Sequence, residues 1–135
     1  MSKAIKSKIC KCLQTGSKLV IADNSGAKEI QIINVYKYKG VKRRISKGGI
    51  GDIFIGAVTK GKPEIKHKLE MAIIIRQRKA IARADGTRVK FEDNAAVLVK
   101  DRKIAEPKGT IVKGPVAREV TERFSKLSKV CKVIV

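Results

Sequence analysis

Apolar residues fall in short runs separated by polar, glycine-rich breaks. The first run, Lys18-Leu19-Val20-Ile21-Ala22, stops at Asp23-Asn24-Ser25-Gly26, where the side chains bond their own backbone and the glycine tolerates positive φ. Over residues 27–38 the pattern first alternates, Ile30 and Ile32 on one face against Glu29 and Gln31 on the other. It then shifts by one residue so that Ile33 and Val35 take over. A one-residue phase change is what a β-bulge produces, and bulges turn corners in small barrels. Ile53-Phe54-Ile55-Gly56-Ala57-Val58 reads as a third strand, with Gly56 at a bend or a close backbone approach. Residues 69–78 and 94–100 read as the fourth and fifth. Their centres, Ala72-Ile73-Ile74-Ile75 and Ala95-Ala96-Val97-Leu98-Val99, are too short for globular helices and suit buried strands. Five short strands with little helix among them predict a mainly β protein, a small closed five-stranded β-barrel without exposed sheet edges.

The two ends differ from this middle. Residues 1–14 alternate single apolar residues with lysines and predict an arm or a single helical turn. Near the other end, Gly114-Pro115 places proline at the first position of a helix, and Val116, Val120 and Phe124 recur at i, i+4 and i+8, with Leu127 continuing the stripe. Ser125 is placed to cap a second short helix running to Lys129. At 135 residues the chain is one domain by length and buries roughly 68% of its unfolded surface. The expected organisation is a single domain over 1–135: an N-terminal arm over 1–15, the barrel over 16–105 with a projecting ribbon near 76–92, and a C-terminal loop with short helices over 106–135.

Charge changes the picture from fold to partner. There are 32 Lys and Arg against 12 Asp and Glu, a formal net charge of +20, and such a body is relieved of self-repulsion by phosphate. The cations are placed unevenly. Arg76, Arg78, Lys79, Arg83, Arg88 and Lys90 crowd around Asp85-Gly86, a dipeptide that between extended arms signals a hairpin with a type I′ turn. A second stretch holds Lys37, Lys39, Lys42, Arg43, Arg44 and Lys47 without an acid. Six like charges on one narrow ribbon repel each other, so folding gives no reason to gather them and a polyanion does. Arg43, Arg44, Arg76, Arg78, Arg83 and Arg88 are the first candidates, because guanidinium forks bind phosphate oxygens bidentately; Lys42, Lys47, Lys79 and Lys90 add less directional charge. As surface residues, Arg83 and Arg88 are expected to leave stability nearly unchanged when removed together. Tyr36, Tyr38, Phe54, Phe91 and Phe124 are the only aromatics, and most fall on faces expected to be core. The pattern therefore offers no stacking platform for single-stranded bases and favours folded RNA held by its phosphates.

Other classes of function find little footing. With a single histidine, His67, no phosphate loop and acids set among bases, no nucleophile with a base and no metal cluster is visible, so neither catalysis nor a cofactor is expected. Cys10, Cys12 and Cys131 lack zinc-ribbon spacing and read as reduced thiols. Gly49-Ile50-Gly51 reads as a flexible turn. No window approaches the roughly 20 apolar residues of a spanning helix, no apolar signal core opens the chain, and no long amphipathic helix suits a membrane surface, so a cytosolic protein is expected. The tail presents mixed charge, Glu106, Glu119 and Glu122 against Lys108, Arg118, Arg123 and Lys126, which suits protein docking through an outward face of Thr110, Arg118, Glu122 and Lys126. The rival to a structural RNA binder is an oligonucleotide-binding barrel acting on single strands, which would want more exposed aromatics. A basic RNA-processing enzyme would want a catalytic constellation.

One long pattern narrows these classes. Ala72 with three branched aliphatics, nine residues, Asp85-Gly86, four residues, Phe91, two residues, Asn94, two residues and Val97-Leu98 resembles the signature of the universal large-subunit ribosomal protein fourteen family. Ala22-Asp23-Asn24-Ser25-Gly26-Ala27, Gly51-Asp52, Val58-Thr59-Lys60-Gly61 and Gly114-Pro115-Val116-Ala117-Arg118-Glu119 resemble further family motifs in the family's order. The resemblance therefore covers nearly everything from Gly16 onward. Residues 62–68 and 87–94 are similar to the archaeal and eukaryotic branch. The resemblance implies the same five-stranded barrel. It also implies a place on the large-subunit rRNA facing the small subunit, an intersubunit bridge to small-subunit rRNA, and neighbouring ribosomal proteins. It further implies that a subunit anti-association factor docks at the C-terminal end, where Thr110 and Lys126 match the docking face.

Overall fold

The computed structural model describes residues 4–135. In chain order its strands are β1 (Leu13–Gln14), β2 (Lys18–Ile21), β3 (Ala27–Val35), β4 (Lys47–Gly48), β5 (Ile53–Gly61), β6 (Leu69–Arg76), β7 (Ile81–Ala82), β8 (Arg88–Val89), β9 (Ala95–Val99), β10 (Val112–Val116) and β11 (Cys131–Ile134). Helices α1 (Arg118–Arg123) and α2 (Ser125–Ser128) lie between the last two strands. Strands β2, β3, β5, β6 and β9 form a closed barrel, antiparallel throughout except where β9 closes onto β2 in parallel. These are the five strands that the apolar runs predict.

The phase change in β3 is a bulge, set one residue later than the alternation suggests. Ile30, Ile32 and Val35 are buried, and the ladder to β5 passes from Ile32 opposite Gly56 directly to Asn34 opposite Ile55. Ile33 is thus the extra residue and stands 44% exposed, where the pattern had placed it inward. Gly56 is a close approach: a Cβ there would lie 2.5 Å from the Gln31 carbonyl oxygen. Every residue of β9, and of β6 from Ala72 to Arg76, is buried, which is why these two strands carry continuous apolar runs instead of alternation. Asp23, buried in the β2–β3 turn, accepts from the Ser25 amide at 3.0 Å and the Leu98 amide at 2.9 Å, tying that turn to β9.

The C-terminal segment departs from expectation. Gly114-Pro115 lies inside β10, which pairs in parallel with β11, and does not open a helix. Proline fits there because the register slips between Val112 and Pro115, with Gly114 at φ 76°. The helix begins at Arg118, after an extended Ala117 with no side-chain cap. Ser125 is the first residue of α2 and caps nothing; α2 ends at Ser128. The stripe itself is correct: Val116, Val120, Phe124 and Leu127 are all buried.

At the other end, residues 1–3 of the expected arm lie outside the described residues. The rest is packed chain and not a helical turn. Lys8 bridges Ala82, Leu13 is buried, and β1 pairs with β4. Gly49 belongs to a packed turn and not a flexible one, since a Cβ there would stand 2.8 Å from Ile9 Cγ2 and its amide donates to Asp52 Oδ2 at 2.8 Å.

Candidate nucleic-acid interface

Two basic features leave the barrel on either side of the N-terminal segment. The first is the loop between β3 and β5. Lys42, Arg43, Arg44 and Lys47 are all exposed on it; the Arg44 amide closes a turn onto Val41 O at 3.0 Å, and Arg43 sits at φ 69°. Its base is held by the β1–β4 pair and by the hydroxyls of Thr15 and Ser46, 2.9 Å apart.

The second feature is the β7–β8 hairpin, with Ile81 opposite Val89 and Ala82 opposite Arg88. The Arg83 amide donates to Thr87 O at 2.9 Å and the Gly86 amide to Arg83 O at 3.1 Å, with Gly86 at φ 89°. Asp85 is not left-handed, so the connection is a longer loop with a glycine bulge and not the two-residue type I′ turn. Bonds from the Thr87 hydroxyl at 2.6 Å and the Thr87 amide at 3.0 Å hold the Asp85 carboxyl below its usual range. Arg88 is exposed, as are Arg78, Lys79 and Lys90 at the hairpin's foot. The last three line an open depression of about 600 Å³ over Phe91 and Leu13. The N-terminal segment joins the two features, meeting the hairpin at Lys8 and the loop's base at Leu13. Five residues span at most about 18 Å.

Arg76 and Arg83 leave this set. The Arg76 side chain is 8% exposed and grips Asp93 bidentately, Nε to Oδ1 at 2.9 Å and Nη2 to Oδ2 at 3.1 Å. Its Nη1 donates to the carbonyls of Lys113 and Pro115, both at 3.0 Å. A Cβ on Gly114 would sit 2.7 Å from that Nη1, so the glycine admits the guanidinium. Arg83, with a side chain 10% exposed, donates from Nε to Glu119 Oε1 at 2.8 Å and from Nη2 to the Val135 carbonyl at 2.7 Å. Glu119 is itself 3% exposed and accepts from the Ser7 hydroxyl at 2.8 Å. Burial alone would push the Glu119 carboxyl up; the bonds from Arg83, its own backbone and Ser7, with the Arg83 charge, overcome this and hold it below the ordinary value. Arg76 pins the barrel to the C-terminal segment and Arg83 pins the hairpin to it, and Glu119 is not the surface acid it resembled. Their partners stand 17 and 36 residues away, beyond any local pattern.

On the C-terminal face, Thr110, Arg118, Glu122 and Lys126 are all exposed. Asn24 fixes Thr110, accepting from its amide and donating to its hydroxyl, both at 2.8 Å. Arg118 and Glu122 form an exposed i, i+4 pair at 3.5 Å. The three cysteines are unpaired, and burial pushes the thiols of Cys12 and Cys131 up, away from the reactive thiolate.

Fold and charge together define a class: a small, strongly basic closed-barrel protein with two clusters of exposed cations, one on the β3–β5 loop and one on and beside the β7–β8 hairpin. Residues 12–135 match the model of the family Ribosomal protein L14p/L23e, and the chain belongs to that family. It is 50% identical to the large ribosomal subunit protein uL14 of Methanocella arvoryzae over 133 residues, 98% of this chain and 99% of the relative. The uL14 of Halobacterium salinarum is 48% identical and that of Haloarcula marismortui 46%, over the same shares. The chain is thus an archaeal-branch member, a structural and non-enzymatic constituent of the large ribosomal subunit in translation.

Proposed function

We propose that the chain binds large-subunit rRNA through phosphate contacts made by Lys42, Arg43, Arg44 and Lys47 on one loop and Arg78, Lys79, Arg88 and Lys90 on and beside the hairpin. One observation carries the reading: all eight are exposed, and none takes part in an ion pair among the described residues. Surface cations placed for stability or solubility are ordinarily interspersed with acids. Here Glu29, Asp52, Glu70, Asp93, Glu106, Glu119 and Glu122 pair with other cations, and these eight are left for a partner. Folded RNA held by its backbone needs such a surface and little base stacking.

The family relationship supports a position at the intersubunit face, with a bridge to small-subunit rRNA and neighbouring ribosomal proteins. The C-terminal face of Thr110, Arg118, Glu122 and Lys126 is the docking site for an anti-association factor: it is rigid, of mixed charge and outward-facing.

Affinity for large-subunit RNA, titrated against salt, tests the phosphate reading. Each contact adds about −0.9 to the slope of log K on log salt for duplex DNA, with a related value on RNA. Replacing Lys42, Arg43, Arg44 and Lys47 together by Gln should flatten the slope by about three, with unchanged thermal unfolding. An unchanged slope would remove the loop from the interface.

A further inference from the structure

A cleft of about 690 Å³ opens beside the basic loop, between the ends of β3 and β5 and the chain leaving β9. We propose that it receives one unpaired nucleobase of the large-subunit RNA, with the adjoining phosphate at Lys37, Arg102 and Lys103. The inference rests on the RNA-binding reading above and deepens it.

Its walls are apolar, from Tyr36, Ile53, Ile104 and Phe124, and its rim is basic, from Lys37, Arg102, Lys103 and Arg123, against one acid, Asp52. Two cations already lie against rings: Arg102 Cζ is 5.2 Å from the centre of Tyr36, and Arg123 Cζ is 5.7 Å from that of Phe124. Aromatic faces together with guanidinium groups are the surroundings in which unstacked bases are held. Four cations to one acid complements an anion, and the apolar walls demand more of it than a bare phosphate.

A second observation is independent of shape. Arg123 Nε is buried without any partner, and Asp52 Oδ1, at 3.9 Å from Nη1, is beyond hydrogen-bonding reach. A buried donor of this kind calls for an acceptor, and a base carries carbonyl oxygens and ring nitrogens in its plane. An apolar protein anchor would fill the walls and leave this donor and the rim unmatched. A base within a duplex has both faces covered by its neighbours, so only an unpaired, unstacked one fits. The cleft also continues the interface, since Lys37 is both its lip and the first cation of the basic loop.

A photoreactive benzophenone side chain, placed in separate chains at Ile104 and at Lys103, tests this in assembled large subunits. The expected result is an adduct from both positions to the same unpaired nucleotide of large-subunit RNA. Its yield should fall about fivefold or more with Tyr36→Leu or Arg102→Met and persist with Tyr36→Phe. In a second readout with unlabelled chains, Tyr36→Leu should weaken binding to the RNA about tenfold and Tyr36→Phe should not. Adducts to a ribosomal protein or to paired nucleotides, no adduct from either position, or equal affinity of the two Tyr36 variants would overturn the cleft assignment while leaving the phosphate reading intact. A wild-type chain whose RNA affinity ignored salt would overturn both.

Discussion

Arg83→Ala should destabilise the protein by an amount that depends on pH in a calculable way. The substitution strands Glu119, 3% exposed, and breaking such a buried pair costs about 3–5 kcal/mol. The carboxylate has an escape, which is to take up a proton. From the ordinary value of 4.5, protonation at pH 7 costs about 3.4 kcal/mol, and at pH 5.5 about 1.4 kcal/mol. Those figures cap the part of the loss that comes from stranding the charge. In the unmodified protein the Glu119 value is depressed, so its stabilisation is present above the unfolded value and fades only as pH falls through the lower folded one. In the variant, burial acts without Arg83 to oppose it and the value rises, so the deficit is largest at neutral pH and shrinks on acidification. For a chain of this size the melting temperature should drop by about 10 °C at pH 7 and about 4 °C at pH 5.5. Arg88→Ala, at an exposed and unpaired position, should stay within about 0.5 kcal/mol at both. Replacing Arg83 and Glu119 together by Leu should recover most of the loss. Thermal melts of the four proteins at the two pH values decide the matter. If Arg83→Ala and Arg88→Ala melt together, or the deficit is the same at both pH values, the buried-pair account is wrong.

Arg76→Lys should lose about 2 kcal/mol, because a point charge cannot serve Asp93 and two carbonyls at once; amide exchange should show β10 and β11 opening before the barrel. Gly56→Ala should cost about 1–3 kcal/mol in chemical denaturation, the new methyl meeting the Gln31 carbonyl, and a neutral outcome would mean that the β3 bulge relaxes freely. Lys126→Glu should leave entry into large subunits unchanged and weaken binding of the anti-association factor to isolated subunits, mainly through faster dissociation; unchanged affinity would remove this face from docking.

The barrel was legible because each of its strands is a run of apolar residues whose neighbours in space are also its neighbours in pattern. The same local signals misled where a residue's role is set by a distant partner. Gly114-Pro115 is a good helix opening, yet β11, arriving from beyond α2, makes it a strand. Arg76 and Arg83 look like members of a charged ribbon, and only Asp93, Glu119 and the Lys113, Pro115 and Val135 carbonyls turn them inward. Of the five aromatics, most of which read as core, Tyr36 lines the cleft with Arg102 against it. Charge density in the sequence picks out a basic region; which cations within it remain unpaired is decided by tertiary pairing.

The parallel closure of the barrel bears on how the chain is made. Val20 pairs with Ala95, about 75 residues later, whereas β3, β5 and β6 each pair with the barrel strand just before them. During synthesis the first four barrel strands therefore form a meander with both outer edges unpaired, and the sheet stays open until β9 emerges and β2 can reach it. Contacts of such long separation are slow to form, and open edges template pairing with other chains. At this stage the excess of basic over acidic residues already present before β9 has a task unrelated to RNA: mutual repulsion keeps nascent copies apart while their edges are bare. A chain that met its polyanion before β9 closed would lose that protection, so the order of folding and binding matters as much as the strength of either.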